Sequence, residues 1–259
     1  MRRIAIANGV EMTEIVLGAT KMGVQEQERE RFALMDRYVE AGGNCFDSAR
    51  KYANGQSDAA LGRWLAQSGM RAHVVLCAKG CHPADTAAMH VSRVTPRDIV
   101  QDLDEALAAM GVEYVDMFLL HRDNPNLPVE EIMPVLDAQV KAGKVRAVGV
   151  SNWTVGRIAQ ANAFARENDL TPFSVSQLLF SLAQTTPAQT QDVTHVIMNN
   201  VEFGWYQETQ LPVMAFGTQA RGYFARYAAG KEQKPGPRQY YDFLPENHRR
   251  AERLRHLSH

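Results

Sequence analysis

FDSARKY, Phe46 to Tyr52, sets an aspartate at the end of an apolar strand and a tyrosine in the turn that follows. The same construction recurs downstream. HVVLCAK, His73 to Lys79, closes on a lysine, and YVDMFLLH, Tyr114 to His121, closes on a histidine. Because side chains alternate along a strand, Cys45 shares a face with Asp47, Cys77 with Lys79, and Met117 and Leu119 with His121. Each polar residue thus tops an apolar column, as where the inward-facing core of a parallel barrel meets its C-terminal mouth.

Taken singly, each of these residues has a plain structural reading: a half-buried tyrosine, a solvated lysine, a satisfied core histidine. Their combination at successive strand ends points instead to a proton-donating site. A lysine closing an apolar strand is costly to bury unless paired, and Asp47 on a neighbouring strand is the partner. The ammonium then favours charge on the Tyr52 phenol and makes it a usable general acid. His121 is placed to hydrogen-bond a carbonyl oxygen or relay the proton.

Outward from these strands, β-rich runs alternate with amphipathic helical stretches, the pattern of βα units around a parallel sheet. Helices are predicted over 27–40, 57–67, 96–110, 130–141 and 154–168. The third is the best marked, with Thr95 as N-cap, Pro96 at the first helical position and Gly111 after the end. Six strands are read in all: GGNCFD, HVVLCAK, YVDMFLL, VRAVGVS, FSVSQ and LPVMAF. Before them, Ile4 to Leu17 reads as a hairpin that plugs the bottom of a barrel. After them come a Gly, Lys and Pro-rich loop from Ala228 to Arg238 and a basic helical start in PENHRRAERLRHLSH.

With 259 residues and 45% hydrophobic content, the chain is long enough for one large domain, read as 1–259. A formal net charge of -1, from 28 basic and 29 acidic residues, gives no electrostatic case for nucleic acid or an anionic membrane. The partner expected is a small molecule; oligomeric state is not legible. No run approaches the ~20 apolar residues of a membrane span, and three cysteines, an odd number, favour a reducing, cytoplasmic setting. Cys77-x3-Cys81 followed by His82 has the look of a metal motif, but strand parity turns Cys77 into the barrel and no ligand cluster accompanies it, so no metal is expected. The loop from Gly80 to Thr95, with His82, Pro83 and His90, lies over the mouth and is a candidate to shape a substrate pocket.

From LGATKMG near the start to QARGYF near the end, the chain resembles the aldo-keto reductases, NAD(P)H-dependent barrel enzymes that reduce aldehydes and ketones. FDSARKY is similar to the family's Asp-x-Ala-x-x-Tyr signature. The resemblance implies support from Asp47, proton donation by Tyr52, the lysine role for Lys79 and, in LLHRD, the histidine role for His121. It also implies NADP, or alternatively NAD, as cofactor. GKVRAVGVSNW makes Ser151 and Asn152, with Gln177 in SVSQLLF, the hydrogen-bonding partners of the nicotinamide carboxamide. Phe216 in VMAFGTQARG falls where an aromatic ring, commonly tyrosine, stacks on the nicotinamide. Gly217, Thr218, Gln219 and Arg221 follow in the segment that meets the pyrophosphate, departing here from the commoner Ser-Pro-Leu wording. Gly18 and Ala19 line the site from below.

The resemblance implies an α/β fold, a (β/α)8 TIM barrel. Six strands fall two short of eight, so the last two βα units are expected to be absent, and with them the segment that grips the adenosine end of the cofactor. An open remnant would expose bare sheet edges, which suggests a truncated or incompletely recorded form of a longer enzyme. The leading expectation is hydride transfer between NADP(H) and a small aldehyde, ketone or sugar. The alternatives are a cofactor-binding regulatory subunit and an inactive fragment on the same fold.

Overall fold

The first ordered feature is a hairpin of β1 (Arg3–Ala5) and β2 (Glu11–Thr13), paired antiparallel around Asn8 and Gly9. Their φ values of 49° and 74° are the left-handed ones that Asn and Gly tolerate best. This is a computed structural model, and it describes residues 1–23, 25–231, 241 and 244–257. The chain divides into two units: Met1–Ser151 with Gly156–Val175, and Asn152–Val155 with Ser176–His259.

In the first unit, β3 (Leu17–Gly18) leaves the hairpin and opens a parallel sheet. It is followed by α1 (Glu28–Glu40), β4 (Cys45–Asp47), α2 (Gln56–Ser68), β5 (Val75–Gly80), α3 (Pro96–Met110), β6 (Val115–Leu120), α4 (Val129–Lys141), β7 (Val145–Ser151) and α5 (Val155–Glu167), of which Val155 belongs to the second unit. The sheet order is β3-β4-β5-β6-β7, each strand parallel to the next. Every residue of β4, β5 and β6 is buried, as when helices cover a parallel sheet. Leu17 therefore belongs to a strand of its own rather than to the hairpin, and the count of six parallel strands rises by one. Two residues are too short to display alternation, which is why the sequence conceals this strand.

The α3 helix forms where its sequence signals place it. Thr95 Oγ1 accepts the Asp98 N–H at 3.1 Å, Pro96 fills the first turn, and Gly111 exits with φ 65°. Its buried stripe is Ile99, Leu103, Ala106, Leu107 and Met110, with Asp102 among them. The α2 helix approaches the end of α3 through Gly62, where an added Cβ would fall 2.6 Å from the Met110 carbonyl oxygen.

The second unit holds β8 (Val175–Leu179), of which Val175 belongs to the first unit, paired parallel with β9 (Val213–Phe216). Between them lie α6 (Pro187–Thr190) and α7 (Asn200–Thr209); α8 (Tyr223–Ala228) and α9 (Pro245–Leu257) follow. Asn199 caps α7 by accepting from the Val201 and Glu202 N–H groups. Only Glu202 and Tyr206 of that helix are buried, so there is no apolar stripe to read. Tyr206 packs with Val155 and Leu178 and donates its hydroxyl to Ser176 Oγ at 2.7 Å. Of the loop read at 228–238, positions 232–238 lie outside the described residues; the basic helix beyond it is α9. No helix among the described residues is long and apolar enough to cross a membrane.

Helix propensity favours alanine over glycine by ~1 kcal/mol, so Gly62→Ala should stabilise an isolated α2. Overpacking against the Met110 carbonyl should reverse that sign, with a net loss of about 1–3 kcal/mol. Urea unfolding of the variant checks it; an unchanged or raised midpoint would show that the two helices part freely.

Candidate active site

Strand register, rather than the strands' lengths, brings the first group of side chains together. Asp47 lies opposite Cys77, and Lys79 opposite Leu119. Each of Asp47, Lys79 and His121 therefore stands two residues higher than the last on adjacent parallel strands, all on one face, like successive treads. Lys79 Nζ donates to Asp47 Oδ1 at 2.5 Å across that diagonal, and the lysine is fully buried. The same ammonium lies 5.0 Å from the centroid of the Tyr52 ring. Tyr52 meets His121 edge to face, centroids 5.7 Å apart and planes at 85°. The four side chains singled out from the sequence thus converge within the first unit.

Tyr52 is delivered by a turn fastened to the neighbouring strand. Ser48 N–H donates to Cys77 O at 2.8 Å and Arg50 N–H to Lys79 O at 3.0 Å. Ala53, Asn54 and Gly55 then adopt φ of 47°, 52° and 84°, three left-handed residues in succession before α2 begins. Gly55 is required on two grounds, since a Cβ there would also lie 2.6 Å from Arg50 Nη1. Arg50 spans Asp58 at 3.1 Å and Glu105 at 3.0 Å, while Ser48 Oγ donates to the other Asp58 oxygen. Burial raises the Asp58 pKa, and its bonds to Ser48 and Arg50 oppose that without cancelling it.

Burial alone would lower the Lys79 pKa. The Asp47 carboxylate, with Tyr52 and Cys77, outweighs it and holds the lysine above its ordinary range. Lys79 is therefore a fixed cation beside the phenol at any physiological pH. The three cysteine thiols are free and buried, and burial pushes each of them up. Among the described residues no three His, Cys, Asp or Glu side chains gather as a metal site would require.

The remaining expected positions divide between the units. In the first, Gly18 pairs opposite Asp47, buried Ala19 donates its N–H to Asp47 O at 2.8 Å, and Ser151 is buried at the end of β7. In the second, Asn152 takes φ 59° and donates its N–H to Gln177 O at 2.9 Å, and both side chains are buried. Asn152 Oδ1 also accepts the Val196 N–H at 3.2 Å. Gln177 lies opposite Met214 on β9, which ends at half-buried Phe216. Past it, Gly217, Ala220, Arg221 and Gly222 all have positive φ, while Thr218, Gln219 and Arg221 are exposed. A cavity of about 810 Å³ in this unit is walled by Thr154, Leu179, His195, Asn199 and Arg250 among others, and none of the expected cofactor positions lines it.

Two further histidines join these groups: His82, read from the sequence only as part of a loop that could shape a substrate pocket, and His195, for which no role was read. His82 stacks edge to face on His121 at 4.8 Å, and His195 lies 5.7 Å from the Phe216 ring. The sequence offers only position for the first, three residues past the strand-ending lysine. For the second it offers nothing, because the segment between β8 and β9 has no periodicity.

The chain belongs to the aldo/keto reductase family, whose sequence model, described as "Aldo/keto reductase family", matches residues 14–258. Norsolorinic acid reductase B of Aspergillus parasiticus is 27% identical over 195 residues, covering 71% of this chain and 51% of its own. An aryl-alcohol dehydrogenase of Pestalotiopsis microspora is 26% identical over 236 residues, 86% of this chain and 58% of its own. Norsolorinic acid reductase of Aspergillus flavus is 30% identical over 195 residues, 70% and 50%. The chain spans about half the length of the curated relatives it matches.

Replacing Lys79 by Met would leave the Asp47 carboxylate buried without its cation, a loss of about 3–5 kcal/mol in urea unfolding. Because the folded Lys79 value is raised, its stabilisation is complete below the ordinary lysine value of about 10.4 and is lost as pH climbs through the folded value. The wild-type midpoint should therefore carry an alkaline decline above about pH 10 that Lys79→Met lacks. Equal slopes for the two proteins would contradict the pairing.

Proposed function

We propose that this chain is an oxidoreductase that moves a hydride between NADP(H) and a small carbonyl or alcohol, with Tyr52 as the general acid and base. The observation that carries the proposal is the buried Lys79–Asp47 pair, whose ammonium lies against the Tyr52 ring, with the His121 imidazole meeting that ring edge to face. On this reading the βα repeats belong to one (β/α)8 barrel domain, working in the cytoplasm, a setting that three free buried thiols suit.

A nicotinamide cofactor, when bound, supplies or accepts the hydride. The donor set suits it: buried amides at Asn152 and Gln177, buried Ser151, a half-buried ring at Phe216, and a left-handed turn at Gly217. Ser151, Asn152 and Gln177 would hold the carboxamide, Phe216 the ring face, and Gly217, Thr218, Gln219 and Arg221 the phosphates, with Gly18 and Ala19 lining the approach. The chain's own groups do the proton work. Tyr52 Oη gives its proton to the carbonyl oxygen as negative charge grows there, and the adjacent Lys79 cation stabilises the phenolate left behind. Asp47 keeps that cation in place, and His121 donates a hydrogen bond to the same substrate oxygen. In the alcohol-oxidising direction the proton returns to Tyr52.

The relatives' names, aryl-alcohol dehydrogenase and norsolorinic acid reductase, direct the first assays to aromatic carbonyls. A panel of aromatic and aliphatic aldehydes, ketones and sugars, run with NADPH and NADH, tests the reaction class. Tyr52→Phe should lower kcat by about 10² or more, while cofactor affinity, followed by quenching of the three tryptophans, stays nearly unchanged. Turnover equal to wild type would reject Tyr52 as the proton donor. Tight cofactor binding with negligible reduction of every carbonyl would point to a regulatory subunit instead.

A further inference from the structure

Beside His121 lies a second imidazole that the proposed chemistry does not use. Strand β5 ends at Gly80, and Cys81 turns the chain with φ 62°, a left-handed conformation in a non-glycine residue. Such a conformation is unfavourable for a residue with a Cβ and persists only where its surroundings enforce it. Here the enforcement comes from α3. Cys81 N–H donates to Asp102 Oδ2 at 2.6 Å, and Asp102 is buried. Arg93 grips the same carboxylate with two N–H groups, at 2.8 and 3.1 Å, and its Nη1 reaches the His82 carbonyl oxygen at 3.5 Å. At Gly80 the strand approaches so closely that an added Cβ would fall 2.7 Å from Asp102 Cβ.

The product of this clamp is the placement of the His82 ring. It meets His121 at 4.8 Å with planes at 72°, and His121 meets Tyr52 at 5.7 Å with planes at 85°. Tyr52, His121 and His82 thus form a file of three rings, each nearly perpendicular to the next. His82 Nδ1 lies 2.8 Å from the Pro83 carbonyl oxygen. A carbonyl only accepts, so Nδ1 carries a hydrogen and the ring's own rotation is fixed.

We infer that His82 is a positioning residue, which holds the His121 imidazole at its angle to Tyr52 and is itself set by the Asp102–Arg93 clamp. The two imidazoles lie 4.8 Å apart with planes at 72°, so a turn of the His121 ring about its Cβ–Cγ bond toward His82 would drive one ring into the other. A misplaced donor near a reacting atom lowers turnover steeply, by up to ~10²-fold for an ångström. The inference rests on the reductase reading for its effect on turnover, but not for its effect on His121.

Two measurements test it. His82→Ala should lower kcat for carbonyl reduction about 10-fold, with cofactor KM within about twofold of wild type, and His82→Phe, which keeps a flat ring, should recover most of the loss. In nitrogen-15 histidine spectra, the His121 ring signals, assigned by their loss in His121→Asn, should move in His82→Ala and return toward wild type in His82→Phe. Should His82→Ala fail to fold, His82→Gln, which has volume but no ring, takes its place. Unmoved His121 signals in the ringless variant overturn the inference. So does a kcat loss that His82→Phe fails to recover, because His82 would then act on substrate directly. A wild-type protein that reduces no carbonyl defeats the reductase reading alone, since the His121 signals still decide the role of His82.

Discussion

A single ion pair, Lys79 with Asp47, sets the conditions for everything around it. A fully buried ammonium is tolerable only beside a carboxylate that reaches it, so the register of β4 against β5 is fixed by electrostatics as well as by packing. That register in turn decides where the chain leaves β4, and so where Tyr52 arrives. The backbone bonds from Ser48 and Arg50 to β5 tie the turn to the same strand that carries the lysine. Phenol and ammonium are thereby held on adjacent, hydrogen-bonded segments, the preorganisation that the proposed proton transfer would use.

The surrounding loops show how much structure stands behind a few functional groups. Ala53, Asn54, Gly55 and Cys81 all hold left-handed backbone angles near the mouth of the sheet. Cys81 is restrained by Asp102 of α3, which Arg93 grips, and Gly55 lies close against Arg50, which spans Asp58 and Glu105. Buried carboxylates on α2 and α3 thus serve the turns that aim the rings, and not the chemistry itself.

Much of the first unit was legible in the sequence, for physical reasons. Strand-ending Asp47, Lys79 and His121 followed strict alternation, and α3 carried its cap, its proline and its stripe. What escaped had no local signal. Leu17–Gly18 is too short for a period, and α7 buries only Glu202 and Tyr206. The contact of His82 with His121 depends on a turn at Cys81 that no propensity foretells, since a buried cysteine is an unusual choice for positive φ. The cofactor positions in the second unit were named by resemblance, and their backbone there is ordered mainly by bonds such as Asn152 to Gln177 and to Val196, which join residues far apart in the chain.

Cys77, directly across from Asp47, has a consequence for durability. Sulfur oxidised to a sulfinate or sulfonate at that spot would place a second anion against the carboxylate and draw Lys79 away from the phenol. Enclosure holds the thiol pKa up and so favours the protonated form, and it is the thiolate that attacks peroxides. The same dry environment that makes the lysine expensive to bury thus shields the neighbouring Cys77 sulfur from oxidation.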